Sequence, residues 1–308
     1  MPYAALPQVT KATRLALADA RWAAMLAARP DLAPAVALQR TLIGRVIDLM
    51  DPFGGGRVPR LSLPHRYLTT KLRSGIPALT GEPIQLPVDT LAPALVGLCR
   101  SLAEGGGGAA TQEILQAMEG GRLDTGALLV LTLRREQAAL RAFATKAGLG
   151  HDLLWLVLDL AVSPFAHALL DGLFGALPDD SPLRAALDEW TRGYCPLCGS
   201  WPTLIEGLNG VTRLRCSFCA AAWDVPDGAC LFCGESGDQL ATLAPDPSRP
   251  RRTVDLCGAC RGYSKTVEID ASLPFPLVAL ADLESMDLDL AAMQNGCARP
   301  AIRQFPRR

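Results

Sequence analysis

Four C-x-x-C pairs constrain this chain more than any other feature. Eight of its ten cysteines fall between residues 195 and 260, as Cys195/Cys198, Cys216/Cys219, Cys230/Cys233 and Cys257/Cys260. A C-x-x-C turn places two sulfurs on one side of a tight loop, and two such turns supply the four thiolates of a tetrahedral metal site. The pairs therefore predict two four-sulfur sites, each on short hairpins of the zinc-ribbon or rubredoxin-like type.

The spacing does not determine which pairs share a metal. C-P-L-C-G at Cys195 and C-L-F-C-G at Cys230 each precede a pair that lacks the final glycine, so the arrangement repeats. The repeat favours sequential pairing, and interleaved pairing, in which the first and third pairs share one metal, is the alternative. Gly199 and Gly234 are expected to take a positive φ, which turns backbone N–H groups towards the sulfurs.

The residue types narrow the choice of metal. His65, His151 and His167 lie outside the cysteine region, so both sites are expected to be all-sulfur and to bind zinc or iron. Four cysteines leave no open coordination position, which argues against hydrolytic catalysis, and we predict no catalytic residue. Structural zinc, iron that carries one electron, and thiol–disulfide exchange all stay open. Cys99 and Cys297 are expected to be free thiols.

Composition divides the chain near residue 190. Of its 308 residues, 49% are apolar and 20% are charged, which is typical of a globular protein. Before residue 190, apolar residues recur at helical spacing, and after residue 194 short β-prone pieces alternate with Gly, Pro and Cys. The predicted fold class is multi-domain, α plus small β. Its parts are an α-helical domain (1–190), two tandem rubredoxin-like or zinc-ribbon modules (191–226 and 227–270), and a C-terminal helix with a tail (271–308).

Prolines, glycines or titratable residues mark three stretches of the N-terminal part. Residues 51–88 contain six prolines, which predicts an irregular connection with at most one short helix. Gly105 to Gly108 predicts a flexible loop between helices and no nucleotide site, because no Gly-Lys-Ser or Gly-Lys-Thr follows. Leu153 to Leu177 is strongly apolar, but Pro164 and three titratable residues interrupt it. We interpret it as buried core helices rather than a membrane span.

The balance of charges argues against nucleic acid and anionic membranes as partners. Thirty basic and 31 acidic residues give a net charge of −1, which removes the bulk attraction to nucleic acid or to an anionic membrane. Residues 195–265 carry seven acids and seven bases, and a divalent ion on four thiolates adds about −2 per site. A nucleic-acid-binding ribbon is therefore the weakest hypothesis. The N-terminus lacks a secretory signal pattern, so we expect a cytoplasmic protein without membrane insertion.

The cysteine motifs resemble those of the FdhE family of formate dehydrogenase accessory proteins. The similar runs are T-R-G-Y-C-P-L-C-G-S-W-P at 191–202, R-L-R-C-S-F-C at 213–219, C-L-F-C-G-E at 230–235 and D-L-C-G-A-C-R-G-Y-S-K at 255–265. The resemblance is close from residue 191 onwards and covers the helical part only in general character. Ala221, Ala222 and Cys297 depart from the residues common in the family.

The resemblance implies a non-catalytic maturation factor in the cytoplasm. Such a protein contacts the catalytic subunit of a molybdenum- or tungsten-dependent formate dehydrogenase and is needed for its activity. It also implies iron binding through the C-x-x-C pairs. The alternative function is a rubredoxin-like electron-transfer or redox-sensing protein.

Aromatic residues near the ligands are candidates for contact with a partner. Trp201, Trp223 and Tyr263 lie within a few residues of the cysteines, and aromatic side chains are enriched at protein interfaces. Most aromatics in so small a module are expected to pack around the metal. A homodimer is compatible with the sequence.

Overall fold

A computed structural model describes residues 8–54, 61, 63–226 and 228–303 of the chain. The described chain divides into two units. The helical unit comprises Val9–Leu61 and Gly81–Gly172, and the ribbon unit comprises Ser62–Thr80 and Leu173–Phe305. An α-helical part and a small sheet confirm the predicted fold class. The domain boundaries at residues 190, 226 and 270 stay a prediction.

The helical unit is built from amphipathic helices, as the apolar spacing predicted. Trp22, Val46 and Leu95 are buried on the inner faces of three of them, and the hydroxyl of Thr10 caps the first helix by accepting from the N–H of Thr13 at 3.1 Å. The helices are α1 (Lys11–Ala28), α2 (Ala33–Asp48), α4 (Val88–Leu102), α5 (Gly108–Glu119), α6 (Thr125–Leu133), α7 (Gln137–Ala147) and α8 (His151–Phe174).

The apolar stretch at residues 153–177 forms one helix where several were expected. α8 passes through Pro164 without a break. Proline lacks the N–H that would bond to Leu160, and the hydroxyl of Ser163 donates to that carbonyl at 3.2 Å instead. By length and composition α8 could cross a membrane, but 67% of its most apolar window is buried within the protein. That burial is typical of a core helix.

Both of the predicted breaks lie between helices. Residues 51–88 contain one short α-helix, α3 (His65–Arg73), and a 3₁₀ turn at Asp51–Phe53, as expected, while residues 55–60 lie outside the described range. The predicted break at Gly105–Gly108 lies between α4 and α5, where the non-helical backbone of Gly106 forms a kink; the flexibility of this connection stays a prediction. Gly106 there has a φ of 115°, and a β-carbon on Gly107 would lie 2.8 Å from the carbonyl oxygen of Leu102.

The ribbon unit contains one six-stranded sheet in the order β3-β2-β1-β6-β5-β4. All pairs are antiparallel except the central pair β1–β6, which is parallel and joins the two halves through Glu206 and Val267. Each half contains two of the four C-x-x-C turns. The strands are β1 (Leu204–Leu208), β2 (Val211–Arg215), β3 (Ala222–Asp224), β4 (Leu240–Leu243), β5 (Thr253–Cys257) and β6 (Tyr263–Glu268).

Three further helices belong to the ribbon unit besides α3. α9 (Pro182–Asp188) starts after Ser181, whose hydroxyl caps the helix by accepting from the N–H of Arg184 at 3.1 Å. The single C-terminal helix expected within residues 271–308 is two helices, α10 (Val278–Glu284) and α11 (Met286–Gln294). They part at Ser285, whose buried hydroxyl donates to the carbonyl of Ala281 at 2.6 Å and so competes with the helical backbone.

Candidate metal centres

All four C-x-x-C turns have the same backbone geometry. In each turn the N–H of the residue after the second cysteine donates to the carbonyl of the first cysteine, with N···O distances of 2.9–3.0 Å. The N–H of the first cysteine donates to the carbonyl five residues later, at 2.7–3.0 Å. The turns therefore form a repeated knuckle that holds two sulfurs on one side.

The knuckle requires a positive φ at the residue after the second cysteine. Gly199 and Gly234 have φ values of 79° and 77°, which confirms the prediction made for them. Ala220 and Arg261 occupy the same position in the other two turns, with φ values of 65° and 59°. A left-handed conformation costs a non-glycine residue about 1–2 kcal/mol, so these two turns are held by their surroundings.

The first group consists of Cys195, Cys198, Cys216 and Cys219. Their sulfurs all lie within 4.8 Å of one another, with separations of 3.5 Å (Cys195–Cys219), 3.6 Å (Cys198–Cys216) and 3.9 Å (Cys198–Cys219). A tetrahedron with zinc–sulfur bonds of about 2.3 Å has edges of about 3.8 Å. All four side chains are buried. The donor set fits one four-coordinate zinc or iron ion.

The second group consists of Cys230, Cys233, Cys257 and Cys260, again within 4.8 Å of one another. Two of its separations are 3.7 Å, between Cys230 and Cys260 and between Cys233 and Cys257. Cys257 is buried, Cys230 is half-buried, and Cys233 and Cys260 are exposed. The structure thus groups the four pairs sequentially rather than interleaved, and each group could hold one metal ion.

Burial disfavours ionisation of the thiols in the first group. Burial, followed by hydrogen bonds among the thiols, raises the pKa of Cys195 well above its ordinary value, and burial does the same for Cys219. Without a cation these thiols stay protonated, and a bound metal would stabilise their thiolates and release the protons. In the second group burial opposes ionisation of Cys257, but the backbone N–H groups of Cys260 and Ala259 lower its pKa to about 7.

A segment far away in sequence covers the first group. We call residues 74–80 the cover segment. Its N–H groups at Ala78 and Leu79 donate to the carbonyls of Pro196 and Leu197, between the first two cysteines, at 2.8 and 2.9 Å. The buried ammonium of Lys71 donates to the carbonyls of Ala78 and Thr80 at 2.8 and 2.7 Å.

A buried ion pair supports the first group from the sheet. Arg215, next to Cys216, pairs with Glu206, and the two are 0% and 3% exposed. The Glu206 carboxylate also accepts from the hydroxyl of Ser272 at 2.7 Å and from the N–H of Leu273 at 3.1 Å. Arg215 donates to the Leu273 carbonyl at 2.6 Å. The pair therefore fastens the chain before α10 to β1 and β2.

A second ionic network lies under the other half of the sheet. The buried ammonium of Lys265 contacts Asp282 at 2.7 Å and Asp289 at 2.6 Å, and Arg299 contacts the same carboxylates at 2.6 and 2.8 Å. The hydroxyl of Tyr263 donates to Asp289 at 2.6 Å. Two cations balance two anions, and the network holds α10, α11 and the C-terminal residues against β6.

The three candidate partner residues have different surroundings. Trp223 is 1% exposed and its indole N–H donates to the carbonyl of Arg192 at 2.9 Å, while Tyr263 is 6% exposed within the ionic network. Trp201 is half-buried, donates to the carbonyl of Ala301 at 2.8 Å, and meets the ring of Phe232 edge-on at a centroid distance of 5.1 Å. Their role in binding a partner stays a prediction.

Comparison with known proteins agrees with the motifs. An FdhE homologue of Haemophilus ducreyi is 27% identical over 156 residues, 49% of this chain and 47% of its own length. One from Aquifex aeolicus is 25% identical over 169 residues, 53% and 56% of the two chains. One from Citrobacter koseri is 33% identical over 148 residues, 46% and 47% of the two chains. The chain thus matches about half the length of these curated relatives.

The solved structures give a likeness over nearly the whole chain. The crystal structure of the FdhE protein from Pseudomonas aeruginosa superposes with a TM-score of 0.57 and 21% identity, over 98% of this chain and 97% of that one. This similarity shows the fold. No protein-family model matches the chain. The sequence similarity over about half of the chain agrees with the resemblance to the FdhE family on which the cysteine motifs were interpreted.

Proposed function

We propose that this chain is an accessory protein for the maturation of a formate dehydrogenase. It binds the catalytic subunit of that enzyme, which contains molybdenum or tungsten, and is needed for the enzyme's activity. The proposal rests on the similarity to FdhE proteins and on the four knuckles, whose sequence motifs resemble that family's and which build the two four-cysteine groups. We propose the cytoplasm as its location.

We propose a structural role for the metals, because each group offers four cysteine sulfurs. Cys195, Cys198, Cys216 and Cys219 would hold one zinc or iron ion, and Cys230, Cys233, Cys257 and Cys260 a second. Four sulfurs fill a tetrahedral shell and leave no position for a substrate. Each ion would supply folding free energy, because the hairpins around it have little core of their own. We therefore propose a non-catalytic protein that does not itself oxidise formate.

Co-purification tests the proposal. The tagged chain is produced with the catalytic subunit of a formate dehydrogenase from the same organism, in a strain whose own gene for this chain is deleted. We expect the catalytic subunit to co-purify and formate oxidation to return to that strain. Failure of both would contradict the proposal.

The partner surface needs a matched pair of variants. Trp201 is the one of the three candidate aromatics with appreciable exposed surface, so Trp201→Ala should weaken co-purification if it contacts the partner. Phe143, an exposed aromatic on α7 in the helical unit, provides the control Phe143→Ala. An equal effect of both variants would argue against a specific role for Trp201.

Electron transfer is the second candidate function, favoured by one observation. An edge-to-face row of rings, Tyr194, Trp201 and Phe232, connects the knuckle of Cys195 with the knuckle of Cys230, at centroid distances of 5.8 and 5.1 Å. Iron in both groups would supply one-electron chemistry. Reversible bleaching of the visible absorbance of the iron-loaded protein, coupled to formate oxidation by the partner, would support this function. Zinc as the native metal would exclude it.

A further inference from the structure

The two cysteine groups share one backbone geometry but differ in exposure. All four ligands of the first group are buried, whereas Cys233 and Cys260 of the second group are exposed. The difference therefore does not come from the knuckles themselves. It comes from what packs on them.

The cover segment accounts for the protection of the first group. It bonds to the carbonyls of Pro196 and Leu197, and the hydroxyl of Tyr194 reinforces it by donating to the carbonyl of Gly75 at 2.8 Å. Leu231 and Phe232 are the corresponding residues of the second group. Among the described residues, no backbone N–H donates to their carbonyls from another segment. Gly193 does pack against the Leu231 carbonyl, but in the part of the chain that the structure describes the second group has no equivalent hydrogen-bonded cover, and Cys233 and Cys260 stay exposed.

The sheet side of the second group is open as well. A cavity of about 240 Å³ borders Cys230 and Cys257, with Leu231, Leu240 and Leu256 among the apolar residues that line it. The second group is therefore exposed to solvent at Cys233 and Cys260 and bordered by a cavity at Cys230 and Cys257.

We propose that the second group is a metal-exchange site, whereas the first group retains its ion. The proposal rests on the metal loading of both groups given above. In the exchange, thiolates of the incoming carrier replace the four cysteine sulfurs one at a time, beginning with Cys260 or Cys233, and each new bond to the metal forms as one bond to a cysteine breaks. The ion leaves on the carrier, and a carrier-bound ion enters by the reverse steps. Each released cysteine sulfur takes a proton from water, and no electron is transferred. The chemical class of the exchange partner is a thiolate-bearing metal carrier.

Isotope exchange tests this asymmetry directly. The full chain is titrated with enriched zinc to two ions per chain and then mixed with excess glutathione-bound zinc of natural isotopic composition. Native mass spectrometry follows the replacement of the ions. Because release from the first group requires opening of the cover, we expect one ion to exchange at least about ten-fold faster than the other.

Alkylation identifies the fast site. Brief treatment of the zinc-loaded protein with N-ethylmaleimide, followed by peptide mass analysis, should label Cys233 and Cys260 before any cysteine of the first group. Equal exchange rates for the two ions, or earlier labelling of Cys195 and its partners, would overturn the proposal. A titration that saturates below two ions would instead contradict the proposed metal loading.

A variant of the cover shows its contribution. Lys71→Met removes the ammonium that holds Ala78 and Thr80, and we expect it to speed exchange of the slow ion without changing the fast one. Lys146→Met, on the exposed face of α7, is the control and should change neither rate. An unchanged slow rate in folded Lys71→Met protein would show that the cover does not protect the first group, against the proposal. If that variant does not fold, the order in which N-ethylmaleimide labels the cysteines of the wild-type protein still tests the proposal.

Discussion

The backbone of Gly193 lies directly against the carbonyl of Leu231. A β-carbon at residue 193 would be 2.1 Å from that oxygen, which is far closer than any non-bonded contact. Gly193 lies two residues before Cys195, and Leu231 follows Cys230. The knuckles of the two groups therefore meet at a point that only glycine fits, and the parallel pairing of β1 with β6 continues that connection through the sheet.

Gly193→Ala should destabilise the ribbon unit. The added methyl group forces the two knuckles apart, and overpacking of this kind costs about 1–3 kcal/mol of unfolding free energy. The expected result is a lower urea midpoint for the ribbon unit and faster loss of metal from the second group. Gly172→Ala is the control, since a β-carbon there meets no atom within 4 Å. Equal stability of the two variants would mean that the knuckles do not meet as described.

Gly234→Ala tests the positive φ of the knuckle separately from any clash. A β-carbon at Gly234 meets nothing within 4 Å, but the φ of 77° is unfavourable for alanine. We expect a loss of about 1 kcal/mol. Gly44→Ala, also in open space but inside helix α2, should instead gain about 0.5–1 kcal/mol. Thermal unfolding of both variants measures the opposite signs, and the same sign in both would refute the argument.

Glu206→Gln should be strongly destabilising. The substitution leaves the guanidinium of Arg215 buried without its counter-charge, which typically costs about 3–5 kcal/mol. The exposed pair between Arg251 and Glu268 has a distance of 2.9 Å but lies in solvent, so Glu268→Gln should change stability by less than about 1 kcal/mol. Chemical denaturation compares the two. If Glu206→Gln lowers stability as little as Glu268→Gln does, Arg215 does not depend on Glu206 for its counter-charge, and the prediction is wrong.

Removal of a ligand should cost metal and local folding together. Cys195→Ser breaks the buried first group, and Cys257→Ser breaks the second. Because metal binding supplies folding free energy to such hairpins, each variant should lose one ion and show a lower unfolding temperature. Cys99→Ala, a lone buried cysteine in α4, should keep both ions. A Cys195→Ser protein with two ions and wild-type stability would contradict the assigned ligands.

Local patterns predicted the parts of the structure that depend on neighbouring residues. A C-x-x-C turn closes within six residues, so its spacing and the glycine at 199 or 234 were sufficient to predict the knuckles. The repeat of C-P-L-C-G and C-L-F-C-G predicted sequential grouping for a different reason, because each repeat begins a unit of two successive pairs.

Contacts between distant segments were not predictable in this way. Lys71 and the cover segment lie more than 100 residues before Cys195, and no local period marks them as partners of a knuckle. The ion pair of Glu206 with Arg215 looks in sequence like two surface charges on neighbouring strands. Ala220 and Arg261 carry no sign of a left-handed conformation, because only their tertiary surroundings impose it.

The most direct test of the account is the metal content and coordination of the intact chain. Elemental analysis of protein purified without oxygen should give two zinc or iron ions per chain. X-ray absorption spectroscopy should then show four sulfur neighbours per ion at about 2.3 Å and no nitrogen or oxygen neighbour. Fewer than two ions at saturation, or a coordination shell that includes nitrogen or oxygen, would contradict the two four-cysteine sites.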